Sequence, residues 1–322
     1  MKSRLKKTLY PMLFAAIAPV FVIILAGFLI RRVGVLSTEA DASLLRISVN
    51  LLYPCLIVSS ILGNDALRLS VNVWLPPLTG ILTVAAGYLA SYAGARLLRL
   101  PRGPETRTFT YVTGLYNYGY AAIPVVGALF GAKAVGVLFT HNLGVEIAFW
   151  IGASLILSAR SDTAGWRKVF NAPVVTILAS LVLNYLHARQ HAPAWIFGAI
   201  QMLGASAIPM ALLLTGATMD DYLSEAHPSR SEAVALAGAC ALRLGVLPLA
   251  FLALARWLPC SVELKQVLVV QAAMPAAMLP VVLSKHYGGD PGLAVQIVLA
   301  TTVLALATMP YWVQFGLRFA GL

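Results

Sequence analysis

Apolar residues run along this chain in long blocks separated by short polar connections. Ten such segments are read, at 10–31, 41–62, 73–99, 107–130, 133–158, 170–188, 195–219, 231–257, 263–286 and 292–317. Each approaches the ~20 residues that a helix needs to cross a bilayer's hydrocarbon. Backbone groups cannot stay unpaired in lipid, so helices are the spans this pattern predicts. The short-period alternation of a membrane barrel is not visible. The first block, Met12 to Ile30, follows a basic stretch as a signal peptide would, but no small-residue cleavage site comes after it. A retained first helix is therefore expected.

Composition supports the bilayer as solvent. Of 322 residues, 60% are hydrophobic and 11% charged, whereas soluble domains are about half apolar and about a quarter charged. The net charge of +11 would suggest nucleic acid in a soluble protein. Here the bases gather mostly in short loops, and no aromatic-basic platform accompanies them, so no nucleic-acid partner is expected. With the first helix running from outside to inside, the inner loops hold Arg31, Arg32, Arg46, Arg96, Arg99, Arg102, Arg107, Arg160, Arg167, Lys168, Arg230 and Lys285. The outer loops then hold Arg68, Lys133, Arg189, Arg256 and Lys265, which favours that orientation. Lys2, Arg4, Lys6 and Lys7 argue the other way. Cys55, Cys240 and Cys260 are far apart and read as small apolar fillers, with no disulfide framework and no metal site.

Three proline-centred stretches recur in order across the two halves. Ala18-Pro19-Val20 matches Ala172-Pro173-Val174, Tyr53-Pro54 matches Ile208-Pro209, and Ile123-Pro124-Val125-Val126 matches Leu279-Pro280-Val281-Val282. The offsets are 154, 155 and 156 residues. This reads as a duplication, with a first five-helix repeat at 1–160 and a second at 161–322. Five is odd, so the second repeat enters the membrane from the opposite side. Inverted repeats of this kind are typical of secondary transporters.

Segments 4 and 9 carry the candidate chemistry. Segment 4 reads Asn117-Tyr118-Gly119-Tyr120-Ala121-Ala122-Ile123-Pro124, and segment 9 runs from Gln271 through Pro275 to Pro280. A proline inside a helix frees a carbonyl and clashes one turn back, so both segments are expected to be broken at mid-span. Broken helices expose N–H groups and positive dipole ends, which suit an anion such as a carboxylate. The alternative is that these prolines only kink their helices. Asn50 and Tyr53 near Pro54, and Ser206 near Pro209, are placed on a wall facing the crossing. Glu146 in segment 5 is read either as a proton-coupling group, with His141, or as half of a structural pair with Arg243 or His141. Arg243 is read as a partner of Glu146 or of a substrate carboxylate. Asp220-Asp221 reads as a solvated helix end, and the stretch Gly288 to Pro291 as a turn. No HExxH, GxSxG, Walker or GxGxxG motif is present, and no enzyme is expected.

These stretches resemble the auxin efflux carrier family, which includes bacterial malate and malonate permeases and the plant PIN exporters. The resemblance covers nearly the whole chain. It rests on NLLYPCLIVSSIL, NYGYAAIPVVGALFG, AIPMALLLTGATM, LRLGVLPL and, most specifically, QAAMPAAMLPVVLSKHYGGDP. Asn117 stands seven residues before Pro124, as in the PIN exporters. The resemblance implies an all-α integral membrane fold similar to bile acid sodium symporters: ten transmembrane helices in two inverted five-helix repeats, with broken crossing helices 4 and 9. It implies a scaffold of helices 1, 2, 6 and 7, a transport domain of helices 3–5 and 8–10, and a homodimer through the scaffold. Asn117, Pro124 and Pro280 carry over as site residues. The loop at 159–168 is short, unlike the long cytoplasmic loop of many plant members.

The expectation is a multi-pass protein of the cell (inner) membrane that carries a small organic anion by an elevator-like movement. Asn117, Tyr118, Tyr120, Pro124, Gln271, Pro275, Pro280, Asn50, Tyr53 and Ser206 would line the site, with Glu146 and His141 coupling to protons and no cofactor. The alternative is a membrane sensor that binds its solute without transport.

Overall fold

The computed structural model describes residues 2–157, 168–223 and 230–322. The proposed repeat boundary near residue 160, and the bases Arg160 and Arg167, lie outside the described residues. Among those described, the structure is helical, without a β-strand. In chain order the helices are α1 (Lys2–Arg32), α2 (Thr38–Ile47), α3 (Tyr53–Ile61), α4 (Val71–Leu97), α5 (Pro104–Gly114), α6 (Ala122–Gly152), α7 (Ala172–Tyr185), α8 (Ala194–Leu223), α9 (Arg230–Ala241), α10 (Leu247–Trp257), α11 (Val262–Ala273), α12 (Leu279–His286) and α13 (Pro291–Ala320). Seven stretches among the described residues are long and apolar enough to cross a membrane: Leu13–Arg32, Thr38–Ile61, Val71–Leu97, Ala122–Leu157, Ala194–Asp221, Glu232–Trp257 and Pro291–Ala320. The apolar helix Ala172–Tyr185 is shorter, and segments 4 and 9 each fall on two helices with a gap between.

The departures from plain helix have local causes. Within α6 the backbone turns at Gly131, whose φ of +78° favours glycine, where the sequence predicts the boundary of segments 4 and 5. Of three π-helical turns among the described residues, two, Ser48–Leu52 and Leu242–Val246, end two residues before Pro54 and Pro248. Proline lacks an N–H and its ring crowds the carbonyl four residues back, so the helix widens there. At the second turn the freed carbonyl, that of Leu244, accepts a bond from Trp312 Nε1 at 2.6 Å. This answers in protein the group that lipid could not.

Two packed groups are visible. In one, α1, α3 and α8 pack together, with α7 against α3. In the other, α4, α5 and α6 pack with α10, α11 and α13. The groups meet chiefly where α1 touches α13 and α6, and where α6 touches α3 and α7. Glycines set the closest approaches. A Cβ on Gly144 would lie 1.8 Å from the Pro77 carbonyl oxygen, and one on Gly216 would lie 1.9 Å from that of Ile24. Only a residue without a side chain lets backbones meet this closely. At the end of α1, Arg31 bonds Asp41 at 2.5 Å and meets Asp221 at 3.4 Å. Asp221 is therefore an ion-pair partner and not merely a solvated terminus.

This packing predicts opposite signs for two alanine substitutions. Gly144→Ala should lower the thermal stability of the detergent-solubilised protein by about 1–3 kcal/mol or more, as overpacked interiors do. Gly198→Ala, where an added Cβ meets nothing within 4 Å, should be neutral or stabilising by up to about 1 kcal/mol. Equal melting temperatures for the two variants would refute the assignment of the α4–α6 seam.

Candidate functional site

Segment 4 is interrupted between α5 and α6, over residues 115–121, and segment 9 between α11 and α12, over 274–278. The second break follows from its sequence. Met274 precedes Pro275, which disfavours helical backbone, and Met274 is extended with ψ 140°. Pro280 then falls in the first turn of α12, where a missing N–H is harmless. Pro124 plays the same part in the first turn of α6. These prolines thus start the second half-helix; they do not bend a continuous one.

The two interruptions lie side by side and antiparallel. Asn117 N donates to the Pro275 carbonyl at 2.8 Å, and Ala277 N donates to the Leu115 carbonyl at 3.2 Å. Tyr116 and Ala276 face each other between these bonds. Side chains hold several further polar groups of the two interruptions. Ala276 N donates to Thr301 Oγ1 at 3.2 Å, and Ala121 N to Asn117 Oδ1 at 3.3 Å. The Tyr118 carbonyl accepts from Asn142 Nδ2 at 3.1 Å and Gln271 Nε2 at 3.2 Å. Because that carbonyl can only accept, it fixes the orientation of the Gln271 amide, whose Oε1 is buried without a partner.

Glu146 lies beside this assembly. Its Oε1 accepts from Tyr118 Oη at 2.7 Å and its Oε2 from Asn171 Nδ2 at 3.1 Å. Asn171 also caps α7, accepting from Val174 N at 3.0 Å. His141 is bonded elsewhere: its Nδ1 meets Thr79 Oγ1 at 3.1 Å and its Nε2 meets Tyr116 Oη at 2.9 Å. Tyr116 Oη in turn meets Thr83 Oγ1 at 2.7 Å. The pairing of Glu146 with Arg243 or His141 is therefore not what the structure forms. Arg243 packs its guanidinium over the Tyr116 and Phe251 rings.

Of the residues the sequence singles out, Asn117, Tyr118, Gln271 and Pro275 come together by direct bonds. Pro124 and Pro280 open the adjoining half-helices. Tyr53 stacks edge to face with Tyr120 at 6.1 Å and with Phe139 at 5.8 Å. Asn50 and Ser206 are exposed. Their polar groups return to their own helices, to the Arg46 carbonyl at 2.9 Å and the Met202 carbonyl at 3.3 Å. Lys285, placed among the inner-loop bases, is exposed at the end of α12. The sequence reading missed Asn171, although an asparagine directly before Ala-Pro at a helix start is a capping signal. It also missed Tyr116, Thr79 and Thr83, which carry no local motif.

Asn171 does two jobs, so its removal is expected to cost more than a cap. Asn171→Ala should destabilise the solubilised protein by about 1–3 kcal/mol. Asn171→Ser keeps a capping oxygen and loses the donor to Glu146, so its melting temperature should fall between those of the wild type and the alanine variant.

The chain is similar in sequence to other membrane proteins. The family model described as membrane transport protein matches residues 12–163 and 156–313. An uncharacterized transporter of Methanothermobacter thermautotrophicus is 28% identical over 294 residues, which is 91% of this chain and 95% of the relative. Another, from Methanocaldococcus jannaschii, is 23% identical over 306 residues, again 91% and 95%. Family and relatives point to transport rather than catalysis. With the family model matched across nearly the whole chain, this multi-pass membrane protein belongs to the membrane transport protein family, the auxin efflux carriers.

Proposed function

We propose that the chain is a secondary carrier of a small organic anion, most simply a carboxylate, held where the two interrupted segments meet. The observation that carries this reading is the reciprocal pair of backbone bonds, Asn117 to Pro275 and Ala277 to Leu115. It sets the two interruptions side by side, each followed by the N-terminus of a half-helix, and half-helix N-termini favour anionic groups. On this reading the ten apolar segments form two inverted five-helix repeats. The group built on α1, α3, α7 and α8 serves as a scaffold, and the group of α4 to α6 with α9 to α13 moves past it like an elevator. A homodimer joined through the scaffold belongs to the same proposal.

Proton coupling through Glu146 is a further part of it. Glu146 holds Tyr118 by its hydroxyl, and the Tyr118 carbonyl lies in the crossing. Gaining or losing a proton at Glu146 would change that bond and thereby the backbone at the site. His141, joined to Tyr116, offers a second route to the same strand of the crossing.

The test is uptake of labelled carboxylates into proteoliposomes at about pH 5.5 and about pH 7.5, on either side of the usual histidine range. At least one carboxylate should accumulate. Asn117→Ala should lower its initial rate roughly tenfold, the scale of one lost bond to a charged group. Glu146→Gln should flatten any difference between the two pH values. No flux for any anion would sink the carrier reading; a pH response that survives Glu146→Gln would sink its coupling role.

A further inference from the structure

Arg243 stands on the π-helical turn Leu242–Val246 and is fully buried, with 0% of its surface exposed. Its guanidinium carbon lies 5.4 Å from the centre of the Tyr116 ring and 5.2 Å from that of Phe251. Those rings meet each other edge to face at 5.0 Å. None of its three nitrogens, Nε, Nη1 or Nη2, has a hydrogen-bond partner among the described residues. Glu146, the acid that the sequence offers as its partner, is occupied by Tyr118 and Asn171.

A guanidinium carries five N–H donors in a fixed plane and keeps its charge under all ordinary conditions. Aromatic faces attract the charge but accept none of those bonds well. Burying a cation with its donors unanswered costs far more than two rings return, and buried charges in folded proteins are paired. The place also bears on function. Tyr116 contributes its backbone to the crossing, opposite Ala276, while its ring lies against Arg243. The turn that carries Arg243 packs on α4, α5 and α13. The guanidinium is thus a fixed positive charge, with a fork of donors unmet among the described residues, set one side chain away from the meeting point of the two interruptions.

We infer that Arg243 is a binding residue for the solute, and that its planar fork takes a carboxylate through two parallel N–H···O bonds. The identity of the ligand as the transported solute rests on the carrier reading; the presence of an anion on Arg243 does not. A planar fork prefers a two-oxygen group to a spherical halide. The Tyr116 and Phe251 rings hold the guanidinium in place; the protein encloses it on every side here, so a ligand reaches its edge only in a more open state.

The experiment uses the full chain in detergent. Acetate, malonate, malate and phenylacetate are compared with chloride at matched sodium and ionic strength, by thermal unfolding. At least one carboxylate should raise the melting temperature saturably, as a ligand of the folded state does, and chloride should not. Arg243→Lys keeps the charge and loses the fork, so its apparent carboxylate affinity should fall about tenfold. Arg243→Met should lose the response. Without ligand it should unfold no earlier than the wild type, because a buried charge without a partner has been removed. A merely structural stacking role predicts the reverse: a less stable methionine variant with carboxylate binding intact. If Arg243→Met does not fold, Arg243→Lys still decides the matter.

The inference is overturned by wild-type affinity in Arg243→Lys, by no carboxylate response in the wild type, or by an Arg243-dependent response to chloride alone. Vesicle uptake separates it from the carrier reading. Arg243-dependent carboxylate binding without flux in the wild type would remove the carrier and leave the binding residue. Flux with unchanged KM in Arg243→Met would remove the binding residue and leave the carrier.

Discussion

A backbone N–H or carbonyl without a partner is costly in hydrocarbon, and interrupting a helix creates several at once. This chain interrupts two, and each interruption becomes the other's partner. Along the first, Asn117 N goes to Pro275, the Leu115 carbonyl receives Ala277 N, and the Tyr118 carbonyl receives two side-chain amides. Along the second, Pro275 has no N–H to satisfy, and Ala276 N is met by Thr301. Neither break would be tolerable alone in so buried a place. Their meeting is therefore a condition of folding before it is a feature of any site.

The polar side chains around the crossing follow from the same constraint. Asn142 and Gln271 reach the Tyr118 carbonyl from two different helices, and Asn171 reaches Glu146 from a third. Each polar group thus ties an element to the crossing, so local changes there are felt by α6, α7 and α11 together. The buried run from Thr79 through His141 and Tyr116 to Thr83 ties α4 to the same place. In a low-dielectric interior such bonds are strong when complete and expensive when one member is lost.

Much of this was legible in residue order. The apolar blocks located the seven stretches long and apolar enough to cross, because the bilayer demands length and hydrophobicity together. The second break was legible because Pro275 acts on the residue before it, and Pro280 suits a helix start. The start of the first break was not, since no proline stands between Gly114 and Pro124. What marks it is contact: Gly114 lies against Gly87, where an added Cβ on Gly87 would come within 2.1 Å of the Gly114 carbonyl oxygen. The partners of Glu146, His141 and Arg243 were likewise hidden. Intramembrane charges suggest pairing with one another, but helix rotation sets each beside neutral groups instead, and rotation is decided by packing over the whole bundle. Asn50 and Ser206 were placed by nearness to prolines in the sequence, and nearness alone does not say which face of a helix turns inward.

The distribution of close contacts bears on how the proposed carrier would move. Within each packed group, backbones approach through glycine: Gly27 and Gly216 between α1 and α8, Gly204 between α8 and α3, Gly80 and Gly144 between α4 and α6. Such seams interlock and resist sliding, because their fit depends on register. Between the groups the contact beside the site is of another kind. Tyr53 of α3 lays its ring against Tyr120 and Phe139, and its hydroxyl would meet a Cβ on Gly119 at a looser 3.3 Å. Gly136 of α6, close to the Ser60 carbonyl and held near Asn64, is the tighter exception. Edge-to-face ring contacts are each worth only about 0.5–1.5 kcal/mol, whereas glycine seams would have to be unmade. An elevator movement would require two bodies rigid inside and smooth where they meet beside Tyr53, and it would first have to release the Asn64 contact at the edge of α6 and the Asn171–Glu146 bond between α7 and α6.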